Sequence, residues 1–360
     1  MNDRIVIGGP TALRIACDRT SALFVRPSDI RGRPSLLDLG SCRHPPACRT
    51  LEALREACAP YGTVHLYVPT PAARTRHRGF SSHLWGGPVP EGSLWLWEDP
   101  AVGLAVHVVT PALALTQTAA LADDTALIGA ASELMGRYPA EGGETSPPSA
   151  ICTRDVLLAE LDGLPRGTAG LRRARAAVDL AFAGGRSPLE VATAAMLSLP
   201  RRLGGLGLPR PELDHAVEVH GALRRQLGYS PLHGDVVWPE ARLVIEYQGE
   251  HHFGRRTVAE DDINRASVLR QMGWWVEQWV ARDLRDLLRL DDGAARVARR
   301  LDLALPEPDG EFRSLQGRLY GSIVRWRDAV ASAGASRQGP SKAGPAFPTG
   351  RADELRDMNQ

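Results

Sequence analysis

Residues 241–253 read ARLVIEYQGEHHF, an apolar run that ends abruptly in acids, an amide and imidazoles. Alternate residues of a strand share a face, so Val244, Glu246 and Gln248 point one way while Leu243, Ile245 and Tyr247 point the other. Both faces stay apolar up to Glu246, the pattern of a central strand covered on two sides. Just upstream, GDVVW and RLVIEYQ flank Pro239-Glu240-Ala241. Pro239 suits the first central position of a turn, so the two runs are predicted to form an antiparallel hairpin. Further strands are predicted at HAVEV and WWVEQWV, with a helix over VAEDDINRASVLRQM between the hairpin and the last strand. Ahead of them, RDVLLAELDGL and AGLRRARAAVDLAFAGG have the spacing of amphipathic helices, and SPLEVATAAMLSLP predicts a shorter helix with a marked start. The resulting order is helix, three strands, helix, strand, helix.

The first part of the chain has a different texture. RIVIGG, VHLYVP and GLAVHVV are strand-like runs bounded by glycine or proline. The following PALALTQTAALADDTALIGAASELMGRY has few breakers and predicts one or two helices, after which PAEGGETSPPSA has the composition of a linker. The expected organisation is a mixed α/β domain over 1–138, a linker over 139–150, a second unit over 151–330 and a disordered tail over 331–360. A chain of 360 residues fits two domains better than one, because single cores stop growing near about 250 residues.

Charge narrows the chemistry. Lys+Arg number 43 against 42 Asp+Glu, so no global field draws the protein to nucleic acid and any attraction must be local. Lys342, in the tail, is the single lysine, which leaves no lysine to serve the sheet. The five cysteines show no tight repeat and MNDRIVIGGP lacks the layout of a signal peptide, so a reducing cytoplasm is expected. The most apolar stretch is interrupted by His107 and Pro111 before it reaches the roughly 20 residues of a membrane span, and no membrane partner is expected.

In the predicted hairpin Asp235, at the end far from the turn, falls near Glu246 or Gln248. Two carboxylates in a poorly solvated place repel, and a divalent cation relieves them; hard oxygen donors favour Mg2+ or Mn2+. Asp235, ten intervening residues and then Glu246-Tyr247-Gln248 resembles the metal site of the PD-(D/E)XK nuclease superfamily. More closely, DVVWPEARLVIEYQGEHH with DDINRASVLRQMGWWVEQWVARDL resembles actinobacterial endonuclease-like domains related to very-short-patch-repair enzymes. The shared features are the acidic strand pair, a Gly-x-x-His corner at Gly249 and His252, an Asp-x-x-Arg helix at Asp262 and Arg265, and Gly273-Trp274 before the last strand. The resemblance covers roughly residues 185–300.

It implies a restriction-endonuclease-like αβββαβ core, a mixed central sheet flanked by helices, and a metal-dependent DNA endonuclease. Asp235 and Glu246 would bind the metal with the Tyr247 carbonyl, and His252 would serve as acid or phosphate contact. Gln248 stands where the superfamily has lysine; it can orient a water but supplies no cation. Glu190 matches the helix acid that many members aim at the metal. Yet Ser187-Pro188-Leu189-Glu190 is equally a capping box, with the carboxylate bonding back to the Ser187 amide.

Plainer roles compete for the other residues. Asp235 can cap a turn and Glu246 can pair with Arg265 or Arg270. The loop holding Arg74, Arg76, His77 and Arg78 can grip DNA phosphates together with Arg265, or simply be solvated. Trp275 and Trp279 share a strand face and are expected in the core, although both, with Trp274, have the chemistry to stack on bases. Cys42, His44, Cys48 and Cys58 lack a C-x-x-C pair, which argues against zinc, and GGPTALR lacks the Gly-Lys-Ser/Thr of a P-loop. The alternative function is a non-catalytic DNA-binding regulator similar to abortive-infection type IV antitoxins, with a toxin or other protein as partner. No helix-turn-helix is legible in residues 1–60 to support it.

Overall fold

The computed structural model describes residues 5–18, 24–25, 35–36, 44–99, 104–138, 150–248 and 256–333. The predicted linker and the C-terminal tail lie outside the described residues, apart from Ala150 and residues 331–333. The first part runs β1 (Ile5–Ile7), α1 (Gly9–Cys17), β2 (Phe24–Val25), α2 (Cys48–Ala57), β3 (Val64–Val68), β4 (Phe80–Leu84), β5 (Leu94–Asp99), β6 (Leu104–Val109), α3 (Pro111–Thr118) and α4 (Asp124–Met135). Its sheet has the order β2-β5-β6-β1-β3-β4. The three apolar runs expected as strands are β1, β3 and β6. By contrast β4 and β5 escape the pattern, because their sequences FSSHL and LWLWED mix polar and aromatic residues without strict alternation.

The second part runs α5 (Arg154–Asp162), α6 (Leu171–Leu180), α7 (Pro188–Ser198), β7 (Glu212–Val217), α8 (Gly221–Leu227), β8 (Leu232–Trp238), β9 (Leu243–Gln248), α9 (Arg256–Gln271) and β10 (Trp275–Val280). Helices α10 (Ala281–Arg285), α11 (Leu287–Arg300), α12 (Gly310–Val324) and α13 (Trp326–Ala333) follow. The four strands lie in the order β10-β9-β8-β7. β7, β8 and β9 are antiparallel in turn, while β10 runs parallel to β9 after the α9 crossover. The fold is mixed α/β, with sheets flanked by helices.

The two-sided apolar pattern of β9 is explained by what covers each face. Leu243 and Ile245 join Val236, Trp238 and Trp279 in a large core, whereas Val244 joins Val237, Val268 and Leu269 in a smaller one under α9. Trp279 is 1% exposed, as its strand position predicts, but Trp275 is 48% exposed. It stands at the outer end of an edge strand, where its indole N–H donates to Glu277 at 2.9 Å instead of entering the core.

The large core extends from Ile5 to Val330 and so includes residues from both sides of the Pro- and Gly-rich stretch. Helices α12 and α13 close the chain back onto α4. Gly129 leaves room for the Ile323 carbonyl and the Trp326 Cβ, each 3.2 Å from where a side chain would begin. The Trp326 indole donates to the buried Glu133 carboxylate at 2.6 Å, and Arg327 pairs with the same group. Among the described residues no helix is long and apolar enough to cross a membrane.

Candidate functional site

Helix α7 begins as its sequence predicts. The Ser187 hydroxyl accepts from the Glu190 amide at 3.2 Å, and Pro188 occupies the first turn, where no N–H is required. The return bond differs from expectation. The Glu190 carboxylate accepts from the Arg186 amide at 2.8 Å and the Ser187 hydroxyl at 2.9 Å. With Ser187 extended at φ −148°, the amide reached is the one before it. Glu190 is 7% exposed, and burial together with the charge of Asp235 pushes its carboxyl up to about 7. Capping therefore explains why an acid stands here but not why a second acid stands beside it.

Asp235 reaches that neighbourhood through a break in strand alternation. A side chain on Gly234 would meet Val237 at 2.7 Å and Val244 at 2.8 Å, so Gly234 and Val237 face the same layer although three positions apart. Alternation breaks within that interval while the β7–β8 register is the same on either side of Asp235, and Val236 packs in the core on the α7 side. The Asp235 carboxylate accepts from the Tyr247 amide at 2.7 Å. Burial raises its pKa, opposed by that amide and by Arg265 and Arg186; the charge of Asp214 adds to the rise.

Asp214 supplies a carboxylate–imidazole group nearby. On β7 it adopts a left-handed φ of 52°, uncommon for a residue with a side chain. Its carboxylate pairs with Arg137 at 2.9 Å and with His233 Nδ1 at 3.0 Å, and His233 Nδ1 also lies 3.1 Å from the Asp214 carbonyl. Nothing in the sequence pattern singles out these two residues. Their pairing follows from the β7–β8 register, in which His233 faces Ala216 two places from Asp214.

Glu246 projects from the other face of β9, with Val244, toward α9. Arg265 pairs with it at 3.2 Å, donates to the His233 carbonyl at 2.6 Å and reaches the Tyr229 hydroxyl at 3.4 Å. The ion pair with Arg265 anticipated for Glu246 is thus present. Asp235 lies beside Glu190 and Glu246 is held by Arg265, whose charge also acts on Asp235.

The remaining expected residues are dispersed. Tyr247 contributes its backbone beside Asp235, and Gln248 ends β9, its side chain outside the described residues, as is that of Asp262. Gly249, Glu250, His251 and His252 also lie outside the described residues. Arg74, Arg76 and Arg78 are exposed on the loop before β4 and form no hydrogen bond or ion pair with these acids. Among the described residues no group of three or more His, Cys, Asp and Glu side chains is placed to hold a metal ion. The local donor set is the buried Glu190 carboxyl, the partly buried Asp235 carboxyl, both with raised pKa, and the adjoining Tyr247 backbone. Its oxygen chemistry fits a hard divalent cation that takes its other ligands from water or phosphate.

No family model matches the chain, and no solved structure matches it significantly. Two proteins of Mycobacterium tuberculosis are similar to it: MT2308 of strain CDC 1551 and Rv2248 of strain H37Rv, both described as uncharacterized. Each is 29% identical over 293 residues, an alignment spanning 77% of this chain and 88% of the relative. The similarity therefore extends well beyond the residues of the acidic site.

Proposed function

We propose that the C-terminal part of the chain is a restriction-endonuclease-like αβββαβ core and that the protein hydrolyses DNA phosphodiesters with the help of Mg2+ or Mn2+. The observation that carries the reading is the neighbouring pair of buried Glu190 and partly buried Asp235 beside the four-stranded sheet, each with its pKa raised. The succession α7, β7, β8, β9, α9, β10 supports it, with α8 as an insertion. Glu190, Asp235 and the Tyr247 carbonyl would hold the ion. When bound, it would lower the pKa of a water and offset charge on the phosphate.

In the reaction a water oxygen forms a new bond to phosphorus as the ester P–O bond breaks. The water gives up a proton to solvent, and the departing oxygen takes one up, leaving a phosphomonoester and an alcohol. The chain's own part is electrostatic and positional. Arg265, fixed by Glu246, the His233 carbonyl and Tyr229, keeps a cation beside the acids where a phosphate would lie. Arg186 adds a second charge near both acids. The exposed Arg74, Arg76 and Arg78 are candidates for backbone contacts farther along the DNA.

A second reading, the non-catalytic DNA-binding regulator, draws on a separate observation. Glu246 has Arg265 and Asp235 has the Tyr247 amide, so this sheet end has internal partners for both acids. Incubating plasmid and linear DNA with the protein and Mg2+ or Mn2+, beside Asp235→Asn and Glu190→Gln, separates the two. Metal-dependent cleavage that both variants lose supports the nuclease. DNA binding without cleavage, unchanged in both variants, supports the regulator and rejects the enzyme.

A further inference from the structure

The ten residues His220–Tyr229, HGALRRQLGY, contain no acid, in a chain whose acids and bases are otherwise almost equal in number. They form α8 and its flanks, inserted between β7 and β8. Leu223 and Leu227 pack on the small core beneath α9, which fixes the element, and Gln226 donates to Asn264 at 2.8 Å. The opposite side carries His220, Arg224 and Arg225, all exposed, and Tyr229, 44% exposed.

The two arginines contrast with those that are tied into the fold. Arg137, Arg289, Arg296 and Arg313 are paired with carboxylates, and Arg154 and Arg210 donate to backbone carbonyls. Arg224 and Arg225 form no ion pair among the described residues. The patch also leads directly to the acidic site: Tyr229 meets Arg265, and Arg265 meets Glu246.

We propose that α8 is a docking surface for the phosphate backbone of duplex DNA, gripping it through Arg224 and Arg225 and guiding it over Tyr229 toward Arg265. This assignment rests on the nuclease reading for the identity of the polyanion. Tyr229 follows α8 directly, past the left-handed Gly228 cap, so both arginines and the phenol lie within six consecutive residues on one exposed stretch. Contacts of this kind fix position without reading sequence, so binding should be salt-sensitive and uniform across sequences.

The test is fluorescence anisotropy of a labelled duplex, without divalent metal, across a salt series. Arg224→Ala/Arg225→Ala should bind at least about tenfold more weakly at low salt, and its slope of log K against log salt should be shallower by about 2. Arg299→Ala/Arg300→Ala removes the same charge from an exposed site on α11 and should match the wild type. Equal affinity and slope in the α8 variant, or a loss no larger than in the α11 variant, overturns the assignment. The nuclease reading would survive that result if plasmid cleavage persisted. Wild-type protein that binds polyglutamate as tightly as the duplex, with the α8 variant losing both, also overturns it and assigns the patch to an acidic protein.

Discussion

Glu190→Gln should make the protein more stable at neutral and alkaline pH. The carboxyl has a pKa of about 7 in the folded chain against an ordinary 4.5. Between those values the folded state binds more protons than the unfolded state, so stability is greatest below about 4.5 and is lost as pH rises through about 7. At about 1.36 kcal/mol per tenfold change in proton affinity, the loss is roughly 3 kcal/mol. Glutamine preserves the shape and can still accept the Arg186 amide, while its NH2 can donate to the Ser187 hydroxyl, and it carries no charge to desolvate. Asp235 is shifted in the same direction, and in the variant it no longer faces a neighbouring anion. Urea midpoints followed by tryptophan fluorescence at about pH 4.5, 6 and 8 would measure the effect. The two proteins should be nearly equal at the lowest pH, with the variant ahead by up to roughly 3 kcal/mol at the highest. Parallel pH profiles, or a variant that is weaker at pH 8, would refute the claim that Glu190 is a strained buried acid.

Other contacts carry their own expected outcomes. Arg265→Ala leaves Glu246, whose side chain is 13% exposed, without its guanidinium, and should lower unfolding free energy by about 2–3 kcal/mol. Adding Glu246→Gln should recover part of that loss in the same urea assay, and no recovery would argue against the pair. Trp326→Phe removes the donor to buried Glu133 and should cost about 2 kcal/mol in chemical denaturation, with little change in the shape of the circular dichroism spectrum. Gly204→Ala places a Cβ 2.5 Å from the Leu315 carbonyl at a φ of 93° and should reduce stability by more than about 2 kcal/mol, seen as a lower melting temperature.

The legible parts of the fold were those governed by neighbours in sequence. Alternation in RLVIEYQ located both apolar faces of β9, and Ser187-Pro188-x-Glu190 located the start of α7. Asp123, whose carboxylate caps α4 by accepting the Ala126 amide at 2.7 Å, divides the long helical stretch after Thr110 into two. Sequence patterning was less informative where an edge strand meets solvent. Trp275 has the same strand parity as Trp279 but lacks the covering element that buries its companion. Asp214 and His233 were invisible because neither belongs to a short motif; their contact depends on a ladder register and on an uncommon backbone angle.

By itself the sequence determined the apolar strands and the capped helices, and that acids and amides gather where the most buried strand ends. Hydrogen-bonding period and local capping act over a few residues, so the chain carries that information directly. Only tertiary structure decided which acids meet. Side-chain alternation breaks between Gly234 and Val237, where Asp235 lies, and the packing of α7 on the sheet brings in Glu190 from 45 positions earlier. Arg265 then takes Glu246 because α9 crosses the opposite face. Charge interactions weaken with distance and strengthen with burial, so these partners were fixed by the packing of layers and not by spacing along the chain.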